Sequence, residues 1–344
     1  MTEPLLQVDR LRMHFRNPHN RRRVVHAVDD VSFAVAPGEI VGVVGESGSG
    51  KSTIGRCILG LESATDGGIR FDGTDLGAHS KRRNRRDVAS RLQVVFQDPY
   101  SSLNPYRTIG QSLAEPLQAA KRVSDAAADA LARDMLEAVG LPREAADRYP
   151  NQFSGGQRQR IGIARALIMD PKLVICDEAV SALDLSTQAQ VLNLLAELAA
   201  DRGLAYIFIA HDLDVVRYLA DRTLVLYRGR IMEQGPAEQV HADPLHPYTA
   251  ALNAAAPSTD PIEQRRRREE RAAKAAPKVA AGPATGATGC PFAARCAFAA
   301  EVCRTDRPAD TAVGERTVAC HLYDAASAHP SGGSGMPRVP VAVA

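Results

Sequence analysis

Eight consecutive residues, Gly45-Glu46-Ser47-Gly48-Ser49-Gly50-Lys51-Ser52, fit the pattern G-x-x-x-x-G-K-[ST] of a phosphate-binding P-loop. The glycines let successive backbone N–H groups curl around the phosphates of a nucleotide, and a helix starting near Lys51 adds the partial positive charge of its N-terminus. Lys51 is placed to reach the β and γ phosphates, the Ser52 hydroxyl to ligate Mg²⁺, and Thr53 to follow it on the first helical turn. A Gly/Ser turn with a stray lysine is the bland alternative, and the strand before and helix after the motif argue against it. A second feature is Asp177-Glu178, which ends the apolar run Leu173-Val174-Ile175-Cys176. Ligands collect at the C-terminal ends of strands in an open α/β sheet. Asp177 therefore suits the Mg²⁺ shell, and Glu178 suits polarising an attacking water as general base.

The elements that must position these groups are legible in the spacing. Leu5 to Phe15 and Val28 to Val35 alternate apolar and polar residues, as half-buried strands do, with the basic insert Asn17 to Arg23 between them. Ile40 to Val44 is a short apolar run after the Pro37-Gly38 turn, which reads as a strand buried on both faces. From Asp98 to about Arg165 the pattern turns helical: Ser124 reads as an N-cap, Leu131, Met135 and Val139 share a face, and Gly140 stops the helix. Beyond Lys172, strands 173 to 176, 205 to 210 and 223 to 227 alternate with helices 187 to 200 and 213 to 219. Such alternation implies a parallel sheet with covering helices. Arg228-Gly229 joins a terminal hairpin.

The chain has 344 residues, 45% hydrophobic and 24% charged, with 42 Lys plus Arg against 40 Asp plus Glu. That length suits one large domain plus an appendage and can bury a core without disulfides or metals. A net charge of +2 gives no argument for nucleic acid as a partner, and none is expected. No stretch approaches the roughly 18 apolar residues that span a bilayer, and the first residues lack a signal-peptide pattern, so the chain reads as cytosolic. Domain 1–257 should bind nucleotide, 258–289 should be an Ala/Pro/Gly-rich linker, 290–325 a Cys-rich module and 326–344 a disordered tail.

Phe153-Ser154-Gly155-Gly156-Gln157-Arg158-Gln159-Arg160 resembles the signature motif of ATP-binding cassette (ABC) ATPases. The other cassette motifs stand in order. Gln97 in VVFQDP is similar to the Q-loop, Ser181-Ala182-Leu183-Asp184 to the D-loop, His211 to the switch histidine, and Phe15 to the aromatic that stacks on adenine. The resemblance spans residues 5 to 325, with Phe153 departing from the usual Leu. It implies an α/β P-loop ABC ATPase fold: a parallel-sheet core, an antiparallel β subdomain, a helical signature subdomain at about 98–165, and a small Cys-containing C-terminal extension. It also implies a head-to-tail cassette dimer in which Ser154, Gly155, Gly156 and Gln157 cap the partner's ATP. Asp184 would be among the ATP-binding residues, Gln97 would join Ser52 and Asp177 around Mg²⁺, and His211 would act with Glu178.

Two segments, Gln97 to Pro105 and His246-Pro247-Tyr248-Thr249, resemble ATPase subunits of oligopeptide and dipeptide importers, and the chain looks most like their F-type ATPase. That group implies a D-type ATPase partner, two transmembrane permeases and an extracytoplasmic peptide-binding protein, with this chain peripheral on the cytoplasmic face. Cys290, Cys296, Cys303 and Cys320 are separated by five, six and sixteen residues. Four soft ligands in a core-poor segment suggest a metal site. Family members with a similar tail imply a [4Fe–4S] cluster; zinc, with His321, and free thiols stay as alternatives. Cys57 and Cys176 read as small buried residues. The basic runs Arg21 to Arg23, Lys81 to Arg86 and Arg265 to Arg268 read as solvated surface. Competing functions are a soluble cassette ATPase of DNA repair or translation, a nickel importer's ATPase, and a non-hydrolysing interaction module.

Overall fold

The computed structural model describes residues 3–17, 20–77, 82–98, 103–120, 123–255 and 288–336. The chain forms two compact units, one of Met1–Gly42 and Lys51–Ala210, the other of Val43–Gly50 and His211–Ala344. Most of the expected linker and the last eight residues lie outside the described residues, as do Arg265 to Arg268.

The first unit opens with an antiparallel ribbon, β1 (Leu6–Asn17) and β2 (Asn20–Val35). Leu6, Val8, Leu11 and Met13 are buried. Their period of two is broken once, between Val8 and Leu11, where the pairing shifts and Arg10 takes φ 46°. The basic insert is not a separate loop: Arg16 pairs Val24 and Asn17 pairs Asn20. Backbone pairing needs no apolar alternation, so the strands run on through it. Next come β3 (Ile40–Val44), α1 (Lys51–Ile58), β4 (Asp66–Phe71) and β5 (Thr74–Asp75). The order of the antiparallel sheet is β2-β1-β4-β5. The β4–β5 pair, unforeseen above, turns on Asp72-Gly73, both with positive φ, a favoured hairpin dipeptide.

After α2 (Arg82–Arg91), β6 (Leu92–Val95) begins a parallel set, β6-β7-β8, with β7 at Leu173–Asp177 and β8 at Ala205–Ala210. Every residue of β8 is buried, as its continuous apolar run predicts. Between β6 and β7 lie α3 (Ile109–Ala119), α4 (Asp125–Ala138) and α5 (Gly155–Leu167); α6 (Leu185–Arg202) follows β7. Ser124 caps α4, its hydroxyl accepting from Ala127 N–H at 3.4 Å, and Gly140 closes it at φ 74°. The buried stripe of α4 is Ala128, Ala132, Met135 and Leu136, and Leu131 is exposed. Leu131 had been grouped with that face. Small alanines next to Met135 set the packed side instead, because they let neighbouring helices approach.

In the second unit, α7 (Leu213–Leu219) precedes β9 (Arg222–Tyr227) and β10 (Arg230–Pro236), joined by Arg228-Gly229, both at positive φ. Helices α8 (Ala237–Ala242), α9 (Pro247–Ala255) and α10 (Glu301–Thr305) and strands β11 (Asp310–Val313) and β12 (Arg316–Ala319) complete it. The sheet order is β11-β12-β10-β9, with Glu233 of β10 opposite Val318 of β12. The cysteine segment therefore extends the sheet of the preceding hairpin. Its core, Val318, Cys320 and Leu322, packs with Leu245 and is flanked by Phe298, Val313, Tyr323 and Met336. Residues 326–336 are tied down rather than a free tail: Gly335 N–H donates to Leu322 O at 2.9 Å, and a His329 ring nitrogen bonds Phe298 O at 2.9 Å.

Candidate active site

The first unit carries a compact polar set. Ser52, on the first turn of α1, donates its hydroxyl to Asp177 Oδ1 at 2.8 Å. Lys51 is almost fully buried; that burial lowers its pKa, while Glu178 and Asp177 oppose the shift. Glu178 follows β7 with φ 51°, left-handed backbone that a non-glycine residue adopts at some cost. Its N–H donates to Ile209 O at 3.0 Å, which anchors it beside the end of β8. Its Oε2 accepts from Gln97 Nε2 at 2.9 Å. The bend at Glu178 is further held by Ser181, whose hydroxyl donates to Glu178 O at 2.9 Å. Lys51, Ser52, Gln97, Asp177 and Glu178 are thus brought together.

The loop Gly45 to Gly50 belongs to the second unit. Gly45, Gly48 and Gly50 all have positive φ, at 154°, 78° and 106°. Ser49 O accepts from Gly229 N–H at 2.8 Å, seating the loop on the β9–β10 turn. The Ser49 hydroxyl is buried and has no hydrogen-bond partner; Ser47 is exposed. Glu46 is held twice. Its N–H donates to the hydroxyl of buried Tyr248 at 2.9 Å, and its carboxylate receives both terminal nitrogens of Arg295, each at 2.9 Å. Arg295 lies between Cys290 and Cys296 and stacks over Phe292 at 5.4 Å. The sequence singled out His246 to Thr249 without a role, and Arg295 not at all; no local pattern links residues 249 apart. Replacing Arg295 with Ala is expected to weaken MgATP binding about fivefold, or about 1 kcal/mol, because the loop then pays its own ordering cost. A double-mutant cycle with Glu46→Gln in an ATP titration checks this; additive effects would show that the pair does not act on the loop.

Other expected residues are separate. Ser154 caps α5: its hydroxyl accepts from Gln157 N–H at 3.3 Å, and Gln157 Oε1 accepts from Ser154 N–H at 3.0 Å. The helix thus starts with Gly155 and Gly156, the latter close against Thr187, where a Cβ would meet a methyl at 2.3 Å. Phe153 is buried under Arg148, at 4.7 Å from guanidinium to ring centre. The Asp184 carboxylate is engaged as the cap of α6, accepting from Thr187 N–H at 3.0 Å and from the hydroxyls of Ser186 and Thr187 at 2.6 and 2.7 Å. Those bonds hold it well below the usual carboxylate range. His211 is exposed at the start of the second unit, and Phe15 is exposed on β1.

The four C-terminal cysteines line one cavity with His246, His321 and His329. Burial pushes the Cys290 thiol up to about 11 and Cys320 up to about 12. Cys57 and Cys176 are buried, as expected. Burial also pushes His246 down to about 3, and its Nδ1 accepts from Tyr248 N–H at 2.9 Å. His321 Nδ1, at the same cavity, is buried without a partner.

Residues 28–181 match the profile of the ABC transporter family, and residues 232–303 match the C-terminal region of oligopeptide/dipeptide transporters. The chain is 49% identical over 269 residues to the oligopeptide transport ATP-binding protein OppF of Bacillus subtilis (strain 168), covering 78% of this chain and 87% of that one. The chain belongs to the ABC transporter ATP-binding proteins. It is also 46% identical over 337 residues to a probable peptide ABC transporter ATP-binding protein of Sinorhizobium fredii (strain NBRC 101917 / NGR234), covering 96% and 94% of the two. Among solved structures it resembles the ATP-binding cassette MJ0796, a dimer in a post-hydrolysis state bound to ADP and Pi. That match has a TM-score of 0.60 and 28% identity, covering 67% of this chain and 98% of that one. The fold is accordingly that of an ABC ATPase, and among the described residues no helix is long and apolar enough to cross a membrane.

Proposed function

We propose that this ABC ATPase hydrolyses ATP to drive import of oligopeptides or dipeptides through a membrane transporter. The observation that carries the reading is the match of residues 232–303 to the oligopeptide/dipeptide transporter C-terminal region, on a chain whose cassette motifs are intact. Lys51 and the N–H groups of Gly45 to Gly50 hold the phosphates, with the unpartnered Ser49 hydroxyl available to the nucleotide. Glu178, set by its bent backbone and by Gln97, takes the proton of the attacking water. His211 acts with it. Phe15 stacks on adenine, and the bare N–H groups opening α5 cap the γ-phosphate of a partner cassette, with Ser154 and Asp184 at that interface.

Mg²⁺ fits the residues present: a hydroxyl and a carboxylate already in hydrogen-bond contact, Ser52 and Asp177, with Gln97 adjacent to Glu178, supply hard oxygen ligands. When bound it neutralises charge on the phosphates. For the cysteine cavity the proposal is a group larger than a single ion. Sulfurs around one zinc stand about 3.8 Å apart, whereas among the described residues no three of these thiols lie within 4.8 Å of one another. Four thiols facing one cavity support a [4Fe–4S] cluster over zinc, held by Cys290, Cys296, Cys303 and Cys320. Such a cluster would add folding energy to a segment that, against the core-poor expectation, already packs Val318, Cys320 and Leu322.

The transporter has membrane permeases and a cassette dimer, with this chain on the cytoplasmic face. An F-type identity with a D-type partner, and a peptide-binding protein outside, are the finer parts of the proposal and rest on the family resemblance alone. Anaerobic purification from native membranes, followed by mass spectrometry and iron, zinc and labile-sulfide analysis, tests all of this. Recovery of a second cassette, two polytopic permeases and a peptide-binding protein is expected, with about four irons per chain. Soluble partners alone would favour a repair or translation ATPase, a metal-binding receptor would favour nickel import, and zinc without sulfide would overturn the cluster.

A further inference from the structure

Apart from the P-loop and the two carboxylates, and beside Phe15, the β1–β2 ribbon gathers three donors of the kind that hold divalent cations. The register runs Arg12↔Asp29, Met13↔Val28 and then His14↔His26, so Ala27 is an extra residue without a partner across the ribbon. With regular pairing His14 would face Ala27. The bulge puts His26 there instead, on the side of the ribbon that also carries Asp29, opposite Arg12 and two residues from His14. Bulges of this kind re-aim side chains, and here the effect is to stack one imidazole beside another. The ring centres are 4.1 Å apart, tilted by 52°.

One nitrogen of each ring and one carboxylate oxygen of Asp29 all lie within 4.8 Å of one another. His14 Nε2 is buried and has no hydrogen-bond partner. The His14 backbone is fixed independently, its N–H donating to Thr65 Oγ1 at 3.0 Å. A cation of this face, Arg12, is engaged by Asp30 and Asp66, each at 3.4 Å, so its charge is partly offset.

We propose that His14, His26 and Asp29 form a binding site for one divalent cation of the zinc, cobalt or nickel class, with three protein ligands and an open position. Two imidazoles and a carboxylate are the donor set that such borderline ions take, whereas magnesium and calcium prefer oxygen alone. Ligands about 2.1 Å from a common tetrahedral centre stand about 3.4 Å apart. The set therefore closes on an ion by side-chain rotations of about 1 Å, which exposed His26 permits. The ion would tie the two strands together next to Phe15. The site is separate in sequence and in donor chemistry from the four cysteines, so the two can be told apart by spectroscopy.

The test is a Co²⁺ titration of the full-length protein, followed by visible absorption and by equilibrium dialysis with metal analysis. The variants His26→Ala and Asp29→Asn are compared with the parent. The parent should bind one more equivalent than His26→Ala. Asp29→Asn should bind that equivalent at least tenfold more weakly. Thiolate-to-cobalt bands, which nitrogen and oxygen ligands do not give, should be the same in all three. Zn²⁺ should raise the melting temperature of the parent by more than that of His26→Ala. Equal stoichiometry and affinity in parent and variants would overturn the site, and so would a lost equivalent that takes the thiolate bands with it. Circular dichroism on the variants, both altered on the ribbon surface, guards against loss of fold.

Discussion

Replacing Glu178 with Gln should lower ATP turnover about 10²–10⁴-fold while leaving MgATP affinity within a few-fold of the parent. The exchange is isosteric and keeps the residue at φ 51°, and the amide can still meet Gln97. What disappears is the capacity to take a proton from water. In the proposed function the phosphates are held by residues other than Glu178, so binding has no reason to fall with turnover. Phosphate release measured beside equilibrium titration with a fluorescent ATP analogue separates the two. Unchanged hydrolysis would remove Glu178 as the base; parallel loss of binding would make it a structural residue.

Gly45→Ala should reduce MgATP affinity by more than a hundredfold and destabilise the fold by about 3 kcal/mol or more. Gly45 sits at φ 154°, and a Cβ there would stand 2.1 Å from the Leu226 carbonyl oxygen and 2.8 Å from the Ser49 hydroxyl. The first contact is backbone of β9, which cannot rotate away, so the loop itself must shift. Gly48→Ala is the informative comparison. It has φ 78° but nothing within 4 Å of the added carbon, so only the backbone strain of about 1 kcal/mol applies. Melting temperatures and ATP titrations of the pair check the contrast, and equal losses would show that crowding against β9 is not the cause.

Much of this was readable from the chain alone, for reasons that differ between elements. The P-loop and Asp177-Glu178 declare themselves because their chemistry is written in adjacent residues and their strands are unbroken apolar runs. Ser124 and Gly140 bound α4 as expected because caps are local. The turn at Asp72-Gly73 goes unread in the sequence and Leu131 is read on the wrong side, for opposite reasons. The former is a strong turn signal obscured by the glycines and exposed residues of β4; the latter is an apolar residue that packing left outside. The Asp184 carboxylate is spent on capping α6, a local contact that the motif reading gave no reason to expect. The contacts that hold Glu46 had no signal at all, since ion pairing and a tyrosine hydroxyl across more than 200 residues leave no trace in spacing.

Those last contacts bear on how the protein is made. Glu46 leaves the ribosome early, while Leu226, Gly229, Tyr248 and Arg295, which confine its loop, all lie beyond residue 225. At about 5–20 residues per second, the 249 residues between Glu46 and Arg295 take roughly 10–50 s to synthesise. A nascent chain ending at Ala210 already holds Lys51 and both carboxylates, but not one of the groups that fix the glycine loop. The full grip on ATP is thus acquired only late in translation, when the chain that confines the loop has emerged.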